Sequence, residues 1–170
     1  MISTGYVRTM AAYNRWQNSS LYDAANSISE SERNSQRGAF FGSIHATLSH
    51  ILWGDQMWMS RFTETQPPAA ATMPASTEMH PRWEDLVTAR TAFDNTITAW
   101  AENLKPAWLE GDLTWTSAAL NLTASKPKWQ LVTHMFNHQT HHRGQVHAML
   151  TAAGAQPDDT DIPFMPVSPS

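Results

Sequence analysis

The stretch Trp129-Gln-Leu-Val-Thr-His134-Met-Phe-Asn-His138-Gln-Thr-His-His142-Arg-Gly-Gln145-Val-His147-Ala-Met-Leu150 decides the reading of the whole chain. Leu131, Met135, Phe136, Val146, Met149 and Leu150 recur at helical spacing and mark one buried stripe. Five of the eight histidines lie in the same stretch, so core and chemistry share an element. At roughly 100° per residue, His138 and His142 differ by about 40° and one turn of height. Gln145 falls between their directions, and His134 lies about 40° to the other side of His138. Two imidazoles stacked in this way can ligate one cation, or can form a hydrogen-bonded structural pair. His134, His138, His142 and Gln145 crowd beside Leu131 and Met149, and burying so many polar groups is costly unless they find partners. A metal ion would be such a partner. His147 projects roughly opposite to His138 and cannot join it.

Working outward, Pro127 separates this helix from Leu113-Thr-Trp-Thr-Ser and Leu120-Asn-Leu-Thr-Ala, two short extended segments with the alternation of a small hairpin. A third helix is expected from Pro81 to Asn103, with Trp83, Leu86, Val87, Ala89, Ala92, Phe93, Ile97 and Trp100 in register and Glu84 and Asp85 suiting its N-terminus. Before it, Pro67 to Ser76 has no periodicity and reads as a surface excursion; His80, preceding a proline, reads as solvent-exposed. A second helix is expected from Ser43 to Thr63, where His50 shares a face with Ala46, Trp53 and Met57. His45 projects about 140° away from His50. The first helix runs from Thr4 to Ser29 through Tyr6, Met10, Tyr13, Trp16, Leu21 and Ala24, with Asn14, Gln17 and Asn18 interspersed; Ser29 marks its end or a new cap. Gly154 ends the last helix, and Phe164 and Met165 in the irregular tail are expected to pack back onto the body. Four long helical patterns and one hairpin signal predict an all-α four-helix bundle, a single domain over residues 1–170, with the short hairpin before the last long helix.

Composition narrows the function. With 11 basic against 15 acidic residues and no basic cluster, the chain lacks the footprint of a nucleic-acid binder. The absence of cysteine excludes disulfides, thiolate metal sites and a cysteine nucleophile. No apolar run is long enough for a signal peptide or a membrane span, so a cytoplasmic location is expected. The tryptophans and methionines read as core mass, not as a cofactor box.

Three stretches together carry a resemblance: Tyr13-Asn-Arg-Trp16; Ser43-Ile-His-Ala-Thr-Leu-Ser-His50-Ile-Leu-Trp-Gly-Asp55-Gln-Met-Trp58; and Asn137-His138-Gln-Thr-His-His142-Arg143-Gly144-Gln145. On them the chain resembles the DinB family of the DinB/YfiT-like metalloenzyme superfamily, over about residues 6–166. Gly154, Pro157 and Asp161 fall where that family places a Gly-Pro-Asp tail. The resemblance implies a four-helix bundle whose His50, His138 and His142 hold a divalent metal ion, zinc or nickel first, with iron or manganese as alternatives. It also implies a homodimer. Arg143 and Asp55 match the family strings, but both point away from the metal face by helical phase, so Arg143 is expected to support structure or an interface and Asp55 to be structural.

Three neutral imidazoles leave coordination positions open, the pattern of a catalytic metal site. The resemblance implies metal-dependent chemistry on a small molecule, with a low-molecular-weight thiol as co-substrate in an S-transferase reaction; the alternative is a non-catalytic metal-binding stress-response protein. His134, Asn137 and Gln145 are the candidates for orienting the ligands or moving protons, with a core role as the alternative for His134 and a solvent-facing or interface role for His141. No catalytic residue is assigned. The metal face of the last helix has no Asp or Glu, which favours thiol transfer over hydrolysis.

Overall fold

The computed structural model describes residues 1–117 and 122–166. Among the described residues the chain is mostly helical with one small two-stranded sheet. The helices are α1 (Thr4–Asn26), α2 (Glu30–Asn34), α3 (Ile44–Phe62), α4 (Trp83–Asn103) and α5 (Lys128–Ala152). Strands β1 (Asp112–Ser117) and β2 (Leu122–Pro127) pair antiparallel, with Leu113 opposite Lys126 and Trp115 opposite Ala124. The hairpin therefore exists, with its second strand shifted towards the helix; Leu120 and Asn121, expected in that strand, lie outside the described residues.

Serine caps set several of these boundaries. The hydroxyls of Ser3, Ser29 and Ser43 accept from the backbone N–H groups of Tyr6, Glu32 and Ala46, satisfying donors that a helix start leaves free. Ser29 thus opens the short helix α2 instead of closing α1. α4 begins two residues later than expected, because Pro81 stays outside the helix and Arg82 occupies the capping position.

Helix α1 packs on α4 and α5, and α3 packs on α5 and α4. The apolar interior comes in two parts. One includes Leu21, Ile44, Leu48, Ile51, Leu86, Val146 and Leu150; the other includes Val7, Ala11, Met59, Ile97, Val132, Met135 and Phe136. Along each long helix the two parts are separated by a buried polar layer. Asn14 and Asn18 of α1, Asp55 of α3, Arg90 and Asp94 of α4, and Gln139 and Arg143 of α5 are all buried. They hold one another: Arg90 Nη1 donates to Asp55 Oδ2 at 2.6 Å and Gln139 Nε2 to Asp55 Oδ1 at 2.6 Å, while Arg90 Nη2 forms an ion pair with Asp94 Oδ1 at 2.9 Å. Asn18 Nδ2 donates to Asp94 at 2.9 Å, while Arg143 Nη1 donates to Gln139 Oε1 at 2.7 Å and Asn14 Oδ1 at 2.5 Å. Arg143 and Asp55 are structural, as their helical phase indicated. Burial pushes the Asp55 carboxyl up to about 6 against the pull of Arg90 and the Gln139 hydrogen bond, so it is the carboxylate at neutral pH.

The tail is held on α1. Tyr13 Oη donates to the Thr160 carbonyl, Gln17 Nε2 to that of Asp159, and Asp158 N–H to Ser20 Oγ, each at 2.7 to 2.8 Å. Met165 lines a cleft beside Trp16, but Phe164 is 68% exposed and does not pack back, because these backbone bonds already fix the tail's course. His80 is half-buried, not exposed: its carbonyl accepts from His45 Nε2 at 2.8 Å. Among the described residues no helix is long and apolar enough to cross a membrane.

Candidate metal centre

α3 and α5 run side by side at the level of the polar layer, and His50, His138 and His142 meet between them. One nitrogen from each ring can be chosen so that all three lie within 4.8 Å of one another. His50 Nε2 is 3.1 Å from His138 Nε2, and the ring centroids are 4.6 to 5.1 Å apart. Gly54 makes this approach possible: a Cβ there would stand 2.8 Å from Cε1 of His138.

Hydrogen bonds orient two of the rings. Ser76 Oγ spends its proton on the Met73 carbonyl at 2.5 Å, so at 2.9 Å it accepts from His50 Nδ1–H. His142 Nδ1–H donates to Gln145 Oε1 at 2.9 Å. These bonds assign the tautomers and leave Nε2 of His50 and His142 without a proton, as ligation requires. His138 Nδ1 is buried without a partner, which makes the central ring the least satisfied of the three.

Burial, then the neighbouring histidines, lowers His50 to about 3. The same causes lower His138 to about 4. Burial also lowers His142, with the Gln145 hydrogen bond opposing. The cluster is therefore neutral at physiological pH and no proton competes for the lone pairs. Three neutral imidazoles with converging nitrogens fit a divalent first-row cation.

The surrounding wall is aromatic. Phe41 stacks on His50 with ring centroids 3.8 Å apart, and Trp53 covers His50 at 5.5 Å. Phe41 reaches the cluster because the chain turns back tightly before α3, with Gly42 N–H bonding the Ala39 carbonyl at 2.8 Å. Gly42 has φ +80°, a conformation in which a side-chain-bearing residue would be strained. Trp53 Nε1 is anchored on the Ala70 carbonyl at 2.7 Å. The cluster opens into a cleft of about 460 Å³ that also includes Trp58, Arg61 and His134 in its wall.

Of the other candidates, Gln145 bonds His142 directly. His134 is exposed at the cleft wall, its ring 6.1 Å from that of His138 and edge-on to Trp58; it is not a core residue. Burial and the nearby charge of Arg61 lower its pKa. Asn137 is exposed and does not line the cleft, since it sits one residue off the face that carries His138. His141 is exposed and within 3.3 Å of the Gln145 amide.

Two contributors escaped the sequence reading. Ser76 lies in the proline-rich stretch taken for a surface excursion, yet it is fully buried in a 3-10 turn (Pro74–Glu78), with Ser49 Oγ donating to its carbonyl at 2.6 Å. Gln139, next to His138, was hidden by its histidine neighbours; its spacing of four from Arg143 was the available signal.

The sequence model of the DinB family matches residues 1–168, essentially the whole chain. Searches of curated proteins and of solved structures give no match to it.

Proposed function

Because the chain belongs to the DinB family, we propose that it is a metal-dependent protein in which His50, His138 and His142 hold one divalent ion, and that its four long helices form that family's four-helix bundle. The convergence of three neutral imidazoles, two of them oriented through Nδ1, carries this reading. An imidazole-only donor set suits zinc or nickel, with iron or manganese also accommodated.

The reaction we assign is thiol transfer to a small electrophile, with a low-molecular-weight thiol as co-substrate. Bound at the three histidines, a divalent ion supplies Lewis acidity, favouring the thiolate form of a thiol or polarising a carbonyl. The chain's own residues divide the remaining tasks. Ser76 and Gln145 hold two of the imidazoles in place. Phe41 and Trp53 shield His50 from water. His134, which lines the cleft wall, takes up the proton that leaves the thiol. Among the described residues no Asp or Glu lines the cleft, which offers hydrolysis no carboxylate base there. The same feature keeps a second reading in view, a metal-binding stress-response protein without catalysis.

The test is conjugation of a thiol to 1-chloro-2,4-dinitrobenzene by zinc-loaded or nickel-loaded protein, compared with His50→Ala. Thiol consumption above the uncatalysed rate that disappears in the variant supports the transferase. A fully metal-loaded protein that is inert with a panel of thiols and electrophiles favours the second reading.

A further inference from the structure

The wall of the histidine cleft contains a cation for which the described residues supply no anion. Arg61, in the last turn of α3, is half-buried, and among the described residues it forms no ion pair. Its guanidinium lies 4.5 Å from the centroid of the Trp58 ring and 5.8 Å from that of Trp115. These cation–π contacts hold the group against the rings, and among the described residues its N–H donors make no hydrogen bond. The buried arginines differ: Arg90 faces Asp55 and Asp94, and Arg143 faces Asn14 and Gln139. Among the described residues no Asp or Glu lines the cleft, and Arg61 is the Lys or Arg in its wall. Its apolar surface comes from Phe41, Trp53 and Trp58, with Phe40 and Met73 exposed at the lip.

We propose that the cleft takes a small carboxylate-bearing molecule with a flat or apolar body, and that Arg61 is the residue that pairs with its carboxylate. A guanidinium fork matches a carboxylate in two parallel hydrogen bonds. A single fork without further cations suits a monoanion better than a phosphate. The aromatic wall takes the body of the molecule, and the volume of about 460 Å³ admits a compound of drug-like size or smaller. Burial lowers the Arg61 pKa, the mark of a charge short of solvent that a ligand anion would compensate. The proposal names the substrate class of the site described above and rests on that reading for the function, though not for its test. The carboxylate belongs either to the thiol or to its acceptor.

The test compares isosteric probes by calorimetry and by fluorescence of the cleft tryptophans. In metal-free protein, where no ion can hold a carboxylate, benzoate is expected to bind about ten-fold or more tightly than benzamide, the scale of one charge-assisted pair. Arg61→Gln should bring the two to parity without changing the affinity for benzamide, and Arg61→Lys, which keeps the charge and loses the fork, should retain part of the preference. In zinc-loaded protein the same substitution separates the sources. If 3-mercaptopropionate loses affinity and 2-mercaptoethanol does not, the thiol brings the carboxylate; if only benzoate loses affinity, the acceptor brings it. Equal binding of benzoate and benzamide by the wild type, or a preference that survives Arg61→Gln, overturns the proposal. Zinc content is measured separately, and Arg61→Gln should load as the wild type does. A protein that fails to hold zinc yet discriminates benzoate would strike the metal reading and leave this one standing.

Discussion

Gln139 donates from Nε2 to Asp55 Oδ1 at 2.6 Å, joining the two helices that carry the histidines. Gln139 follows His138, and Asp55 lies five residues after His50, so this bond fixes the rotation of α5 against α3 at the level of the site. Arg90 holds the other carboxylate oxygen, extending the constraint to α4.

Asp55→Ala should therefore be among the most damaging single substitutions. It leaves a buried guanidinium and a buried amide without their acceptor, and breaking a buried pair costs about 3–5 kcal/mol. Urea denaturation should show a lower midpoint with a similar slope. A loss below about 1 kcal/mol, the range of exposed pairs, would contradict the structural role.

Gly54→Ala separates fold from site. Alanine favours an interior helical position over glycine by about 1 kcal/mol, yet its methyl would stand 2.8 Å from His138 Cε1. Helicity should persist while zinc affinity, read by competition with a chromophoric chelator, falls about ten-fold or more.

Ser76→Ala and Gln145→Ala should each weaken metal binding by about 10–100-fold, the usual effect of removing the partner of a ligating imidazole. Ser76→Ala should also cost about 1–3 kcal/mol of stability, because His50 Nδ1–H is left buried and unpaired. Gln145→Ala should cost less, since Gln145 is only half-buried. Competition titration and denaturation on the same preparations check both.

The metal-free protein should lose stability as it is acidified. His50 and His138 have folded values of about 3 and 4, below the ordinary histidine value of 6.5. Between those limits the unfolded chain binds more protons, so the contribution is complete above about 6.5 and is lost as pH falls towards about 4. Asp55, raised to about 6, acts in the opposite sense below that pH. The loss should therefore be clearest between pH 7 and 6, and His138→Gln should flatten it. Denaturation midpoints at pH 7.5, 6.5 and 6.0 decide the matter.

The long helices were legible because apolar periodicity and serine caps act locally: Ser43 and the stripe from Leu131 to Leu150 required no tertiary information. The three histidines were legible as a set only through the family strings, since spacing along α5 supplies His138 and His142 but says nothing of where α3 lies. The buried polar layer was not legible. Asn14, Asn18, Arg90 and Asp94 have the composition of solvated positions, and only the partner helices show what each is bonded to or paired with. Ser76 was missed for a related reason, because a segment without periodicity leaves no pattern from which to read burial. Phe164 was misread in the other direction: its apolar side chain suggested packing that the tail's backbone bonds do not permit.

Metal binding at the three histidines is measured by elemental analysis of tag-free protein after reconstitution with zinc, nickel or manganese, for the wild type and for His50→Ala, His138→Ala and His142→Ala. About one ion per wild-type chain is expected, lost in each variant while the helical circular dichroism is retained. A wild-type chain that retains none of these ions, or variants that load as fully as the wild type, would contradict it.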